Sequence, residues 1–461
     1  MKRTPGLDAR AGMDRLARYP FHVLSWVGDD GYPMNVAVAA AVDPESLTAT
    51  FESPAGLALP MDREFGLTGS HIRPQPGYGY DERRHVTVWG RVTAPEGQLE
   101  LRGERAWGWD EQEVPFFEYS ERSIGQSRRY FDALSAERGT PVKPRLSLGW
   151  LTLRATRLPF LSATIIPVLL GIVIAASQGF FDLPSALLTI IGAAFVQLGL
   201  NVANDVFDTT QGADDANVTP TKYSGGSRVI QYGLVSFRRM VTIAVGFYAA
   251  AAVVGLVLLV LRGSPALLAI GIVGFVVSIG YTAPPLKLVY RGLGEIAVAV
   301  GFGPLMLLGA YVVQTAGSIS WEPVVASIPI ALLVALILYV NEIPDRRGDA
   351  RAGKRTLPVR FSRDAVLLGW DATVVAAYAV VIGGVLAGFL PITALLVLLT
   401  IPIARRVHDG LRPNYDSPYT LMAVMAVNIQ LHLVVGLLLL AAYGVVLVAN
   451  AVSPGLPLFL R

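Results

Sequence analysis

Gln197-Leu-Gly-Leu-Asn201-Val-Ala-Asn204-Asp205-Val-Phe-Asp208 closes a long apolar run with amides and carboxylates. In a helix, Asn201, Asp205 and Asp208 stand at i, i+4 and i+7 and share one face. A second apolar run ends in the same way, in Asn341-Glu342-Ile-Pro344-Asp345-Arg346-Arg347-Gly-Asp349. Asn341, Asp345 and Asp349 again repeat at helical spacing, and Pro344 is expected to end or kink the helix there. A single Asp at the end of such a run is ordinarily a solvated helix end. Two clusters of like spacing, each followed by basic residues (Lys222 and Arg228; Lys354 and Arg355), point to a shared task. Carboxylate and amide oxygens suit Mg2+, which is held by a few carboxylates together with substrate phosphates. Cations beside them suit a diphosphate. Carboxylates within membrane helices also mark ion pathways, so a cation-coupled transporter is the alternative of a different class. Inverted repeats and mid-span charges would favour it, whereas these acids gather at one end of their spans.

Outward from these motifs, the chain divides by polarity. Of 461 residues, 53% are hydrophobic and 16% charged, against roughly a quarter charged in soluble domains. Apolar runs dominate from about residue 158, and a bilayer span needs roughly 20 such residues. Nine segments are expected, near 158–178, 185–206, 238–261, 265–282, 294–314, 323–343, 365–388, 390–404 and 420–449. The eighth is short and carries Pro391 and Pro402. The fold expected is an all-α integral-membrane domain of nine transmembrane helices (158–452), preceded by a soluble, mainly-β domain (1–140) and a linker (141–157).

Lys and Arg concentrate in alternate connections, at Lys222 to Arg239, Lys287 and Arg291, Arg346 to Arg363, and Arg405 to Arg412; Arg262 is the exception. Such residues accumulate on the cytoplasmic side. The N-terminal domain and both acidic motifs are thus expected at the cytoplasmic face of the cytoplasmic (inner) membrane. No apolar leader follows Met1-Lys2-Arg3, and no signal peptide is read. With no cysteine, disulfides, thiolate nucleophiles and Cys-ligated metals are excluded. A formal charge of +3 is small for nucleic-acid binding. His408 and His432 fall in no ligand pattern and are read as structural.

From about Gly149 to the C-terminus the chain resembles the UbiA superfamily of membrane prenyltransferases. Asn201, Asp205 and Asp208 match its NxxxDxxD motif, and Asp345 and Asp349 its second acidic motif. Tyr223-Ser-Gly-Gly-Ser-Arg228, Tyr281-Thr-Ala-Pro-Pro-Leu-Lys287, Gly292-Leu-Gly-Glu295, Phe302-Gly-Pro and Gly353-Lys354-Arg355-Thr356-Leu357 are similar to the dihydroxynaphthoate prenyltransferase branch. Glu342, where that branch often has a second Asn, and Pro344 depart from it, which leaves the acceptor more open than the reaction class.

The resemblance implies nine helices around a cavity open to the cytoplasm, and transfer of a prenyl group from a polyprenyl diphosphate to an aromatic acceptor in quinone biosynthesis. It implies Asp205, Asp208, Asp345 and Asp349 as Mg2+ ligands, with Asn201 and Asn341 completing or orienting the shell. Arg228, Lys287 and Lys354, with Lys222 nearby, would neutralise the departing pyrophosphate. Other acceptors of the superfamily (4-hydroxybenzoate, a haem, a chlorophyll precursor, a glycerophosphate lipid) remain open. Glu295 is a candidate either for an acceptor hydroxyl or for a structural pair with Lys287. Gly301 and Gly303 serve either an isoprenoid tail or helix packing.

In the N-terminal half, Phe21–Val27 and Asn35–Val42 flank Gly28-Asp-Asp-Gly31-Tyr-Pro33, a hairpin signal, and His85–Val92 alternates as a strand. Trp107 to Tyr130 reads as helical or irregular. The hairpin and Val88-Trp-Gly-Arg-Val92 resemble the split-barrel flavin-binding family that includes pyridoxamine-phosphate oxidases. That likeness implies a homodimer and FMN, with Arg63, Thr68, Ser70, His71 and Arg73 in the region of its phosphate; a barrel without flavin, used for docking or stabilisation, is the alternative. Combining the halves gives a third reading, a flavin-linked membrane reductase that binds quinone.

Overall fold

The computed structural model describes residues 7–29, 33–74, 80–95, 98–114, 116–142, 147–217, 220–453 and 456–460. The chain forms two compact units, Met1–Ser127 and Arg128–Arg461.

In the first unit, helix α1 (Ala9–Leu16) starts on the Asp8 side chain, which accepts from Ala11 N at 2.7 Å. Seven strands follow: β1 (His22–Val27), β2 (Pro33–Val38), β3 (Ala40–Asp43), β4 (Thr48–Phe51), β5 (Glu64–Pro74), β6 (Tyr80–Thr93) and β7 (Leu99–Asp110). They form one antiparallel sheet, in the order β2-β1-β5-β6-β7-β4-β3. Alternate residues turn inward, so Leu24, Phe51, Phe65, Leu67, Val86, Val88 and Leu101 pack on Met13 and Leu16 of α1. The result is a strand-rich half-barrel. The expected strand 35–42 breaks at Ala39 into β2 and β3, and residues 30–32 of the expected hairpin lie outside the described residues. Trp107 to Asp110, expected to be helical or irregular, is the end of β7, paired with β6; helix α2 (Phe116–Arg138) begins only after it.

The second unit is helical: α3 (Leu148–Thr156), α4 (Ser162–Ser177), α5 (Leu183–Thr210), the single turn α6 (Ala213–Ala216), α7 (Phe237–Arg262), α8 (Pro265–Gly280), α9 (Gly294–Val300), α10 (Met306–Thr315), α11 (Trp321–Arg351), the single turn α12 (Leu357–Arg360), α13 (Arg363–Leu386), α14 (Ile401–Asn414) and α15 (Pro418–Val452). Among the described residues, six helical stretches are long and apolar enough to cross a membrane: α5, α7, Gly294–Thr315, α11, α13 and α15. α4 and α8 are shorter apolar helices. The eighth expected segment is a 3-10 stretch, Ile392–Thr400, that follows Pro391 and runs into the charged α14, with Pro402 in the first turn of that helix.

Helix α11 does not end at Pro344 but continues to Arg351. Proline removes one amide donor, and burial of Val340, Ile343 and Gly348 on either side holds the backbone in place. Leu170, Leu307, Ile330, Val340, Trp370, Leu431 and Tyr443 form the centre of this unit's core. Within it, Trp370 Nε1 donates to Asn428 Oδ1 at 3.1 Å, and Asn428 Nδ2 to Leu336 O at 2.9 Å, tying α13, α15 and α11 together. Gly303 serves packing, since a Cβ there would meet Ala331 Cβ at 2.3 Å, whereas Gly301 faces open space.

Candidate active site

The ends of α5 and α11 converge on one cavity. α5 contributes Gln197, Asn201, Asn204 and Asp208; α11 contributes Asn341, Glu342, Asp345 and Asp349. Asp214 of α6, Asn217, Tyr281, Lys354 and Arg157 complete its polar wall. Phe160, Leu200, Val298, Phe302, Val334 and Ile337 make the remainder apolar. The helical spacing read from the two motifs therefore delivers both acidic faces to the same space.

Lys354 joins them. Its Nζ lies 3.4 Å from Asp208 Oδ2 and 3.9 Å from Asp349 Oδ1. Burial opposes its charge, yet Asp208 and Asp349 push the ammonium well above the ordinary lysine range. Asp208 also accepts from Tyr290 OH at 2.8 Å. Asp345 accepts from Asn217 Nδ2 and from Gly225 N, both at 2.8 Å. Gly225 has φ +77°, and a Cβ there would meet Asn217 Nδ2 at 2.6 Å, so glycine lets the loop reach the carboxylate. Asp205 is buried behind the wall, held by Arg157 Nη2 at 2.7 Å and by Ser227 N at 3.2 Å. Asp214 is held well above the usual carboxylate range by burial, with Asp205 and Asp208 adding to it.

Of the residues singled out in the sequence, Asn201, Asp208, Asn341, Asp345, Asp349 and Lys354 line the cavity. Asn201 donates from Nδ2 to Thr156 O at 2.8 Å. Arg228, Lys287 and Lys222 are not among the lining residues. Arg228 instead bonds the carbonyls of Asp214 and Asn217, bracing the loop. Lys287 Nζ sits 5.6 Å from the centre of the Tyr290 ring, and exposed Lys222 sits 5.5 Å from that of Tyr223. Arg157, Asp214, Asn217, Tyr281 and Tyr290 were not anticipated. Asp214 and Asp215 follow Asp208 closely in the chain, which is a local signal; Arg157, just ahead of the first apolar segment, carries none.

Among the described residues, no three His, Asp or Glu side chains stand close enough to hold a metal ion by themselves. The donor chemistry nonetheless fits a hard cation. The acids lining the cavity offer oxygen only, and the amide oxygens of Asn204 and Asn341 are buried with no hydrogen-bond donor. In the first unit, four of the five residues in the region expected for a flavin phosphate have other partners. Arg63 bonds Val27 O and Asp29, Thr68 Oγ1 lies 2.8 Å from Thr87 Oγ1, and His71 and Arg73 pair with Glu82 at 3.3 and 3.0 Å. They give FMN no support.

Apolar spans around a charged cavity define an integral membrane protein that binds an ionic group at one end of an apolar chamber. Residues 164–429 match the UbiA prenyltransferase family, and the chain belongs to that family: it is an enzyme that transfers prenyl groups. It is 27% identical over 301 residues to 1,4-dihydroxy-2-naphthoate octaprenyltransferase of Bacillus subtilis, covering 65% of this chain and 94% of that protein. It is 27% identical to 2-carboxy-1,4-naphthoquinone phytyltransferase of Synechocystis, covering 64% and 93%. Among solved structures, a UbiA homolog from Aeropyrum pernix K1 in its apo form is 19% identical, covers 63% of this chain and 98% of that one, and superimposes with a TM-score of 0.47.

Proposed function

We propose that the protein catalyses Mg2+-dependent transfer of a prenyl group from a polyprenyl diphosphate to an aromatic acceptor of the dihydroxynaphthoate class, in menaquinone-type quinone biosynthesis. The observation that carries this is the meeting of two acidic helix ends across Lys354 in a cavity whose remaining wall is apolar. Relatives named for naphthoate prenylation support the choice of acceptor.

Asp208, Asp345 and Asp349 would hold Mg2+, with Asn204 and Asn341 as amide donors and Asp205 fixing Arg157 behind them. When bound, the metal would neutralise charge on the diphosphate. Lys354 and Arg157 supply the protein's own positive charge there, and both come from partly buried positions where such charge acts strongly. The prenyl tail lies along Phe160, Leu200, Val298, Phe302 and Ile337, which exclude water from the allylic cation. In the reaction the bond from the prenyl carbon to the diphosphate oxygen breaks and its electron pair leaves with the pyrophosphate. A ring carbon of the acceptor then bonds the prenyl carbon, and loss of that carbon's proton restores the aromatic ring.

The charge pattern supports the finer topology: nine spans, with the short segments near 162–177, 265–280 and 392–400 crossing alongside the long ones. It also supports an inner-membrane location with the N-terminal domain (1–140) and the cavity mouth on the cytoplasmic side. The reading is tested with membranes containing the full-length protein, radiolabelled polyprenyl diphosphate and a panel of hydroxyaromatic acceptors, with Mg2+ or with EDTA. A labelled lipid product that requires both Mg2+ and 1,4-dihydroxy-2-naphthoate is expected; product from another acceptor alone would refute the naphthoate assignment.

A further inference from the structure

The other face of α11 borders a second cavity. Leu336 and Tyr339 form its floor, with Leu357 of α12, Phe361, and Ala365 and Thr373 of α13 around it and Glu295 of α9 at one side. Ile296, next to Glu295, and Leu368, next to the groove residue Gly369, are 60% and 68% exposed. The groove therefore opens on the outer surface of apolar helices, where a membrane supplies lipid. Along α13 it runs from Ala365 to Thr373, about 12 Å at 1.5 Å per residue. That is most of one leaflet's share of a hydrocarbon core about 30 Å thick.

The polar groups of this groove are already satisfied. Tyr339 OH donates to Val366 O at 3.1 Å, and Thr373 Oγ1 to Gly369 O at 2.8 Å. Glu295 accepts from Leu357 N at 3.3 Å and lies against the Glu342 carboxyl; among the described residues it makes no ion pair with Lys287. Such a groove gains little from a ligand's hydrogen-bond donors, and what it can bury is hydrocarbon. A cation stands at one end. Arg360, exposed at the close of α12, holds its guanidinium 6.0 Å from the centre of the Phe361 ring. Its Nη1 lies beside Gly292, where a Cβ would meet it at 2.7 Å, three residues ahead of Glu295. The guanidinium thus stands over the end that Glu295, Leu357 and Phe361 close, and among the described residues no carboxylate pairs with it. Arg291 and Arg355, also exposed, add positive charge nearby in the chain.

An unpaired guanidinium at the head of an apolar groove matches an anion that carries hydrocarbon. We propose that the groove binds one anionic phospholipid, with an acyl chain along Leu336, Tyr339, Phe361 and Ala365 and its phosphate on Arg360. Bound there, the lipid packs against α11 from the side away from the acidic cavity.

The test is scintillation-proximity binding to full-length protein in detergent, using radiolabelled phosphatidylglycerol or phosphatidylcholine with the same acyl chains. Wild type is expected to saturate at one phosphatidylglycerol per chain and to bind phosphatidylcholine more weakly. Arg360→Gln should lower phosphatidylglycerol affinity about 5-fold, the worth of one arginine beside an anionic lipid, and leave phosphatidylcholine unchanged. Ala365→Trp, which fills the groove, should remove saturable binding of both lipids. Arg406→Gln, at an exposed arginine of α14, should change neither. Millimolar inorganic phosphate or glycerol phosphate should leave the lipid bound; displacement by either would reveal a free-anion site and overturn the proposal. Equal binding of the two lipids by wild type, binding of neither, or equal losses in Arg360→Gln and Arg406→Gln would overturn it as well. Should Ala365→Trp fail to fold, the comparison of Arg360→Gln with Arg406→Gln decides alone. The readout is lipid binding, so its outcome is separate from that of the prenyl-transfer assay.

Discussion

The two units treat charge in opposite ways. In the N-terminal sheet, acids and bases meet at the surface: Arg105 with Glu64 at 2.8 Å and Arg15 with Glu113 at 2.8 Å, with both acids about half exposed. In the membrane unit, Asp205, Asp208, Asp214, Glu342 and Asp349 are all buried. Exposed pairs contribute about 0 to 1 kcal/mol and are free to vary. A carboxylate buried among apolar helices is costly, so five of them in and around one chamber identify the part of the molecule that works. The contrast can be broken or sharpened at single residues.

The largest effect is expected at the acids facing the cavity. Asp208→Asn and Asp349→Asn keep the shape and remove one charge, and kcat for prenyl transfer should fall about 100- to 1000-fold, as on removal of a group that stabilises developing charge. Melting temperatures should stay near wild type, since the cavity edge leaves room for relaxation. Next comes Arg157→Leu, which leaves Asp205 buried without its cation; a destabilisation of about 3 kcal/mol is expected in urea titrations, partly recovered when Asp205→Asn is added. Glu64→Ala in the sheet should change stability by less than about 1 kcal/mol in the same titration. The smallest expectation concerns pH. Burial holds the His85 imidazole below its ordinary range, whereas in the unfolded chain it takes up a proton near pH 6.5. Acid thus favours the unfolded form, and the stability of the sheet should decline as pH falls below about 6.5. Fluorescence of Trp107 and Trp109, which pack around His85 with ring centres at 5.2 and 6.0 Å, reports it.

The same contrast explains how much was legible in the sequence. The acidic motifs were, because helical periodicity and a long apolar run are local properties, and together they placed Asp208, Asp345 and Asp349 on converging faces. The basic partners were less so. Arg228 follows the first motif in sequence and Lys287 enters through the family resemblance, but both adopt left-handed backbone, with φ of 62° and 44°, and neither lines the cavity. Arg157 and Tyr290 reach Asp205 and Asp208 from distant loops, a convergence that only the packed bundle creates. In the sheet, β5 and β7 were missed because Gly, Arg and Glu interrupt their alternation, as in Leu99-Glu-Leu-Arg-Gly-Glu-Arg105; their pairing with β6 overrides weak local preference.

The central claim is that the ends of α5 and α11 form one diphosphate site rather than two independent charged helix ends. It is tested most directly by binding a non-cleavable prenyl thiolodiphosphate to wild type, Asp208→Asn, Asp349→Asn and the double variant, each with and without Mg2+. Residues that share a ligand are non-additive. The account predicts that Mg2+ strengthens binding to wild type, that each single variant loses most of that gain, and that the double variant loses little more. Additive losses, or affinity indifferent to Mg2+, would contradict it.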